Sequence, residues 1–201
     1  EGEVEGEAAA AKNQQETADI CRKYLPFKIW NINQKENLSV VLADFGANTV
    51  LGAVALTIEL VPKAAWYSNV RSNVIASKWD VIRRKSYSIA NNKCEICGDV
   101  GKNQGVNHNV ECHEIWQYND NTKEQKLIGL ISLCPFCHKT KHVGLARIKG
   151  EEEIVIKQLI KVNKMTRQEA KDYIRTAFEV WRERSKYEWK LDITMLDGYC
   201  T

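Results

Sequence analysis

The nine residues "CPFCHKTKH", from Cys134 to His142, place two cysteines and two histidines close together in the chain. Zinc takes four such ligands in a tetrahedron, so one ion held by this stretch alone is the simplest interpretation. A second C-x2-C pair, Cys94 and Cys97, argues against it, because that pair would then lack partners. Whether the stretch serves one ion or two decides between a zinc-stabilised module and an enzyme.

Helical geometry favours two ions. Pro135 suits the first position of a helix, where its missing N–H costs nothing. In such a helix Cys137 and His138 point about 100° apart, whereas residues at i and i+4 share a face. We therefore expect a structural zinc at one end of the helix, and His138 and His142 as ligands of a second divalent ion (Mg²⁺, Mn²⁺ or Zn²⁺). The predicted structural ligands are Cys94, Cys97, Cys134 and Cys137.

Composition is compatible with a folded, mildly basic protein. The chain has 201 residues, 44% of them hydrophobic, six tryptophans and a net charge of +3. That charge permits nucleic-acid binding without requiring it. No apolar run approaches the roughly 18 residues that span a membrane, and the first residues lack the pattern of a signal peptide. Paired cysteines in an unexported chain favour metal binding over disulfides, so we expect a reducing, cytoplasmic setting. The first residue is Glu1 rather than Met, which suits a segment of a longer protein.

The pattern along the chain divides it into five regions. Residues 1–16 are acidic and small, typical of a disordered tail, and residues 17–52 carry no assignable chemistry. Residues 53–92 predict a strand, "VALTIELVP" (54–62), and a helix capped by Ser77 that ends near Ala90. Residues 93–146 hold the proposed metal ligands, and residues 147–201 form a helical extension.

The ligand region predicts a hairpin before the histidine helix. "HNVECHEIWQY" (108–118) and "EQKLIGLISL" (124–133) are the two strands, and "NDNT" (119–122) is the turn. Two helices should follow, one over about 151–162 and one starting at Thr166, where Glu169 completes a capping-box pattern. The second has an apolar stripe, and "LDITML" (191–196) reads as a last strand. The stripe is Ala170, Tyr173, Ile174, Ala177, Phe178 and Trp181.

The combination of a C-x2-C knuckle, a hairpin with an acidic and a histidine residue, and L-C-x2-C-H-x3-H resembles the HNH endonuclease family. The resemblance covers residues 94–142. It implies an α+β fold with a ββα-metal (HNH, or His-Me finger) core, structural zinc knuckles and flanking helices. It also implies metal-dependent hydrolysis of DNA phosphodiester bonds. The ion would contact the scissile phosphate, and a base on the first strand would activate water.

The resemblance leaves two registers open over "ECHEI" (111–115). In the preferred register His113 binds the catalytic ion with His138 and His142, and Glu114 takes the place of the base or, as the alternative, binds the ion itself. In the other, His113 is the base and Cys112 lies where a metal-binding Asp belongs. The Asn of the family pattern is missing, because the matching region carries Gly129 instead.

The resemblance also implies partners. DNA is the expected substrate, and a guide RNA or a larger effector complex, as in CRISPR and other defence systems, is the expected source of specificity. Candidate phosphate contacts are Arg83, Arg84, Lys139, Lys141 and Arg147. Trp66 and Tyr67 are expected to pack in the core, with stacking on bases as the alternative. His108, in a polar loop, is expected to be solvated or hydrogen-bonded. The alternative function is a non-catalytic zinc module that binds nucleic acid or a partner protein and needs only the four thiolates.

Overall fold

The computed structural model describes residues 55–67 and 69–199. The chain divides into two compact units, one of Val54–Ile193 and one of Glu1–Ala53 with Thr194–Thr201. The acidic tail and the unassigned segment predicted for residues 1–52 lie outside the described residues. The described part of the second unit is a 3-10 helix, Thr194–Tyr199, where the sequence suggested the end of a strand.

The larger unit is mixed α+β and contains a small three-stranded sheet. Strand β1 (Glu111–Asn119) pairs antiparallel with β2 (Glu124–Leu133), and the short β3 (Lys190–Asp192) runs parallel to the start of β2. Between β1 and β2 the Asn119 side chain accepts hydrogen bonds from the backbone N–H groups of Asn121 and Thr122. The predicted hairpin is confirmed, with a bulge between Ile115 and Trp116.

Helices surround the sheet. They are α1 (Val70–Asn73), α2 (Ala76–Ile89), α3 (Pro135–Lys141), α4 (Val143–Ile148), α5 (Glu152–Asn163) and α6 (Arg167–Arg184), with 3-10 turns at Lys63–Ala65 and Gly101–Gln104.

Local sequence signals explain most of the helix ends. Pro135 is the first residue of α3, and Thr166 and Glu169 form both halves of a capping box at the start of α6. Asn91, with a φ of +52°, lies in the left-handed region just beyond α2. The cap predicted at Ser77 is wrong: α2 starts at Ala76, and the preceding Ile75 makes no side-chain cap.

The predicted strand before Pro62 does not form over its described residues. The backbone from Leu56 to Val61 is bonded to side chains of α5 and α6 instead of to a neighbouring strand. The alternation is nevertheless real, because Leu56 is fully buried and Ile58 and Leu60 pack against the same core. A period of two therefore identified the buried face but not the hydrogen-bonding partner.

The hairpin presents two different faces. Ser132, which pairs with Cys112, shares a hydroxyl hydrogen bond of 2.7 Å with Ser86 of α2. His113 pairs with Ile131, which belongs to the core that also includes α3 residues. Because successive side chains of a strand alternate, Glu111 and His113 lie on the α3 side, and Cys112 and Glu114 lie on the α2 side.

The core lies between β2 and the helices that follow it. Its buried side chains come from β2 and α3 to α6, together with Leu56, and the predicted stripe of α6 contributes Ala170 and Ile174. Trp66 and Tyr67 are 56% and 84% exposed, so their predicted burial is wrong. In the part of the chain that the structure describes, no helix has the length and apolar character to cross a membrane.

Candidate metal centres

Four cysteine sulfurs converge at the start of α3. Their Sγ atoms all lie within 4.8 Å of one another. Cys97 Sγ is 3.6 Å from the sulfurs of both Cys134 and Cys137. A tetrahedron with Zn–S bonds near 2.3 Å has edges of about 3.8 Å, so this spacing fits a zinc ion. The four-cysteine cluster predicted from the sequence is confirmed as an arrangement that could hold a metal such as zinc.

Two tight turns aim these thiols at one point. The 94–98 turn closes with a hydrogen bond of 2.8 Å from Gly98 N–H to the Cys94 carbonyl, and Gly98 has a φ of +74°, which glycine adopts freely. On the other side Cys134 is the N-cap residue of α3, and Cys137 lies in the first turn of that helix. The buried Gln158 of α5 donates a hydrogen bond of 3.1 Å to Cys137 Sγ.

Three histidines form a second cluster further along α3. His113 comes from β1, His138 from α3, and His142 ends that helix. One ring nitrogen from each lies within 4.8 Å of the others, and the ring centroids are 4.7–5.3 Å apart. The structure thus brings together the three imidazoles of the preferred register and keeps them separate from the thiols.

Two rings of the histidine cluster, those of His113 and His142, favour the uncharged form. Burial, together with the neighbouring His113 and His138 rings, lowers the pKa of His142 to about 3. Burial likewise lowers the pKa of His113, whose side chain is 6% exposed. A neutral imidazole has a free lone pair, which is the form that binds metal.

A carboxylate on the same face of β1 orients one of the rings. Glu111 accepts a hydrogen bond from His138 Nδ1, which leaves the lone pair on Nε2 of His138 free to bind a metal ion. The bond from His138 lowers the pKa of Glu111 to about 2, so the group is ionised at neutral pH. The other Glu111 oxygen is 2.8 Å from Nε2 of His108, which confirms that His108 is hydrogen-bonded.

A second carboxylate, from Glu59, was missed in the sequence. Its Oε2 lies 3.1 Å from Nε2 of His113, and its Oε1 bonds to the buried ammonium of Lys141. Burial alone would raise the pKa of Glu59, but the Lys141 charge and His113 outweigh it and the pKa is lowered. The available signal was a single carboxylate within the apolar run of residues 54–62.

Glu114 and Cys112 are not brought to the histidines. Glu114 accepts hydrogen bonds from Val70 N–H at 2.7 Å and from the Trp116 indole at 3.2 Å, on the opposite side of β1. Burial raises the pKa of Cys112 to about 12, which disfavours the thiolate that would bind an ion. The register of the family resemblance predicted Glu114 at the histidine site. Because side chains alternate along β1, Glu114 lies on the opposite face, and Cys112 is separated from the three rings in the same way.

The candidate phosphate contacts have varied surroundings. Lys141 is 4% exposed and bonded to Thr57 and Glu59, so its assignment to a phosphate is corrected. Lys139 pairs with Glu151 at 2.8 Å. Arg83 pairs with Asp80, and Arg147 pairs with Glu152 and stacks over the Phe178 ring. Arg84 is the most exposed of the set, with 72% of its side chain accessible.

No family model matches the chain, and neither a curated protein nor a solved structure matches it. Function is therefore argued from the chemistry of the two clusters.

Proposed function

We propose that the chain is a metal-dependent endonuclease of the HNH type, which hydrolyses DNA phosphodiester bonds at the three-histidine cluster. The observation that carries the proposal is the convergence of His113, His138 and His142 at a place separate from the four thiols. A zinc module needs only the four-cysteine cluster, whereas a second set of metal ligands suits chemistry.

The number of ligands supports a catalytic role for the histidine site. Four protein ligands fill the coordination of a structural zinc, but three leave a position for water or substrate. When bound, a divalent ion would neutralise charge on the phosphate and lower the pKa of a water molecule, the two requirements of hydrolysis. The three rings would hold the ion, and Glu111 would keep His138 in the tautomer that presents Nε2.

The order of elements agrees with the ββα-metal core that the family resemblance implies. His113 lies on the first strand of a hairpin, and His138 and His142 lie on the helix that follows directly. The proposal departs from the expected register in one respect. Glu114 lies on the other face of β1, and among the described residues Glu59 and Glu111, the two carboxylates bonded to the histidines, serve ligand rings instead of acting as a base.

DNA as the substrate follows from the resemblance and from the basic side chains around α2 and α3. Arg84 is the most exposed of the candidate contacts and the best placed for phosphate, whereas Lys139 is paired with Glu151 and Lys141 is committed to Glu59. A guide RNA or a larger effector complex stays a proposal on the same footing.

The second candidate is a non-catalytic zinc module. Two observations favour it: Glu114 turns away from the histidines, and Gly129 occupies the place of the family Asn. The two candidates differ in whether the histidines carry an ion.

A metal count beside a plasmid-nicking assay separates them. We expect two ions for each wild-type chain, and one for His138→Ala or His142→Ala, with the fold retained and nicking lost. Gln117→Ala, at an exposed β1 position, is the control and should retain both ions. A single ion in the wild type, or unchanged nicking by both histidine variants, contradicts the endonuclease and favours the zinc module.

A further inference from the structure

A carboxylate from outside the hairpin and helix reaches the most buried ring of the histidine site. Glu59 Oε2 is 3.1 Å from Nε2 of His113, across 54 residues of sequence. The side chains of His113 and Glu59 are 6% and 24% exposed, so little water competes for this bond. With Nε2 engaged, Nδ1 is the free nitrogen of His113.

The Glu59 carboxylate has a fixed orientation because each oxygen has its own partner. Oε1 bonds to Lys141 Nζ, which also donates to Thr57 Oγ1 at 2.6 Å. Thr57 in turn donates to Glu59 Oε1 at 3.0 Å. Lys141 thus holds one oxygen and leaves the other for His113.

The leading segment, residues 56–63, is placed by the two long helices of the C-terminal region. Asn163 of α5 bonds to both the N–H and the carbonyl of Leu56, at 2.9 Å each. The Tyr173 hydroxyl of α6 accepts from Ile58 N–H at 3.2 Å, and the Trp181 indole donates to the Val61 carbonyl at 2.9 Å. These bonds flank Glu59 on both sides, and the Glu59 N–H itself donates to the Lys141 carbonyl at 3.3 Å, which fixes the backbone of Glu59 relative to α3.

We infer that Glu59 is a positioning residue of the histidine site, which holds His113 so that Nδ1 faces the ion. Carboxylates that accept the second N–H of a metal-binding histidine fix the ring and its tautomer. Removing such a partner typically costs 10–100-fold in metal affinity. The inference rests on the proposed second ion. It also gives the leading segment and the α5–α6 pair a role in building the site.

A purely structural role is the competing explanation. Glu59 could serve only to neutralise Lys141, because an unpaired buried ammonium is costly. A double variant distinguishes the two roles. In Glu59→Gln/Lys141→Met both charges are removed together, so a structural role predicts recovery, whereas a positioning role predicts that His113 still lacks its carboxylate.

The experiment uses the full chain loaded with one equivalent of Zn²⁺ for the thiols and then titrated with Co²⁺. The visible d–d absorption of Co²⁺ reports occupancy of the histidine site, and thermal melting reports the fold. We expect Co²⁺ affinity to fall 10–100-fold in both Glu59→Gln and the double variant, with the double variant melting close to wild type. Glu153→Gln, which removes an exposed carboxylate paired with Arg167, should bind as the wild type does.

Co²⁺ binding by the double variant with wild-type affinity would overturn the inference and leave the proposed function standing. Unfolding of both Glu59 variants would assign Glu59 a structural role and overturn it as well. If the wild type takes up no Co²⁺ beyond the thiol site, the proposed function fails first and the inference fails with it.

Discussion

The thiol site and the histidine site share helix α3 but are built on different plans. At the start of the helix four thiols face one another, and the neutral amide of Gln158 donates a hydrogen bond to one of them, Cys137. At its other end three imidazoles meet, and carboxylates of Glu59 and Glu111 contact two of them. The four thiols would complete the coordination of a zinc ion and tie two segments together. The three imidazoles would leave a coordination position open, with carboxylates beside the ligand rings, as the proposed hydrolysis requires.

Removing a thiol should have the largest effect. Cys97→Ala leaves three ligands for the zinc that would join the 94–98 turn to α3. Such sites contribute on the order of 10 kcal/mol in small finger peptides, comparable to the total stability of about 5–15 kcal/mol of a typical domain. We expect insoluble or unfolded protein, measured by circular dichroism and zinc content. A soluble, zinc-free variant with an unchanged melting temperature would contradict the structural role of the four-cysteine cluster.

A smaller effect is expected for the carboxylate beside His138. Glu111→Gln keeps the shape of the side chain but removes the charge that holds the Nδ1–H. Metal affinity at the histidine site should fall by about 10–100-fold without a change in zinc content. Isothermal titration with Mn²⁺ on zinc-loaded protein measures it, with Glu179→Gln on the exposed side of α6 as the control. If Glu111→Gln binds Mn²⁺ with the affinity of the wild type, the Glu111 carboxylate does not contribute to metal binding at the histidine site.

The smallest effect is expected for Glu114→Gln. Val70 N–H and the Trp116 indole donate to different oxygens of Glu114, and the amide keeps only one oxygen. One of the two hydrogen bonds is therefore lost, and the loss in stability should be about 1 kcal/mol. Metal binding should be unchanged and nicking reduced less than about 10-fold, whereas loss of a general base costs roughly 10²–10⁴-fold. A loss in that larger range, with the metal still bound, would restore Glu114 as the base despite its position.

Short-range spacing made the ligands and the hairpin predictable. The two C-x2-C pairs, the i, i+4 histidines and Pro135 each act within a turn of chain, and the four-cysteine cluster follows from them directly. The capping box at Thr166 is of the same kind. Within each of these motifs the interacting side chains are neighbours in sequence, whereas the meeting of the two C-x2-C pairs, 37 residues apart, was predicted from the four ligands that zinc requires.

Long-range contacts were not predictable from one sequence. Glu59 reaches His113 only because side chains of α5 and α6 hold the leading segment, and no local pattern encodes that. Glu114 is a different case, because the alternation of a strand places it opposite Glu111 and His113. The role predicted for Glu114 came from the family resemblance, although the alternation of side chains along a strand already indicated that Glu114 and His113 lie on opposite faces.

The position of Glu59 also sets how far this protein can be trimmed. A fragment limited to residues 93–146 would retain all seven cysteine and histidine ligands, yet it would lack the leading segment, α5 and α6. Lys141 would then be an ammonium without its counter-charge, on the helix that carries the histidines. The hairpin and α3 are therefore not expected to keep the histidine site when moved into another protein by themselves. A fragment for engineering should run at least from Leu56 to the end of α6.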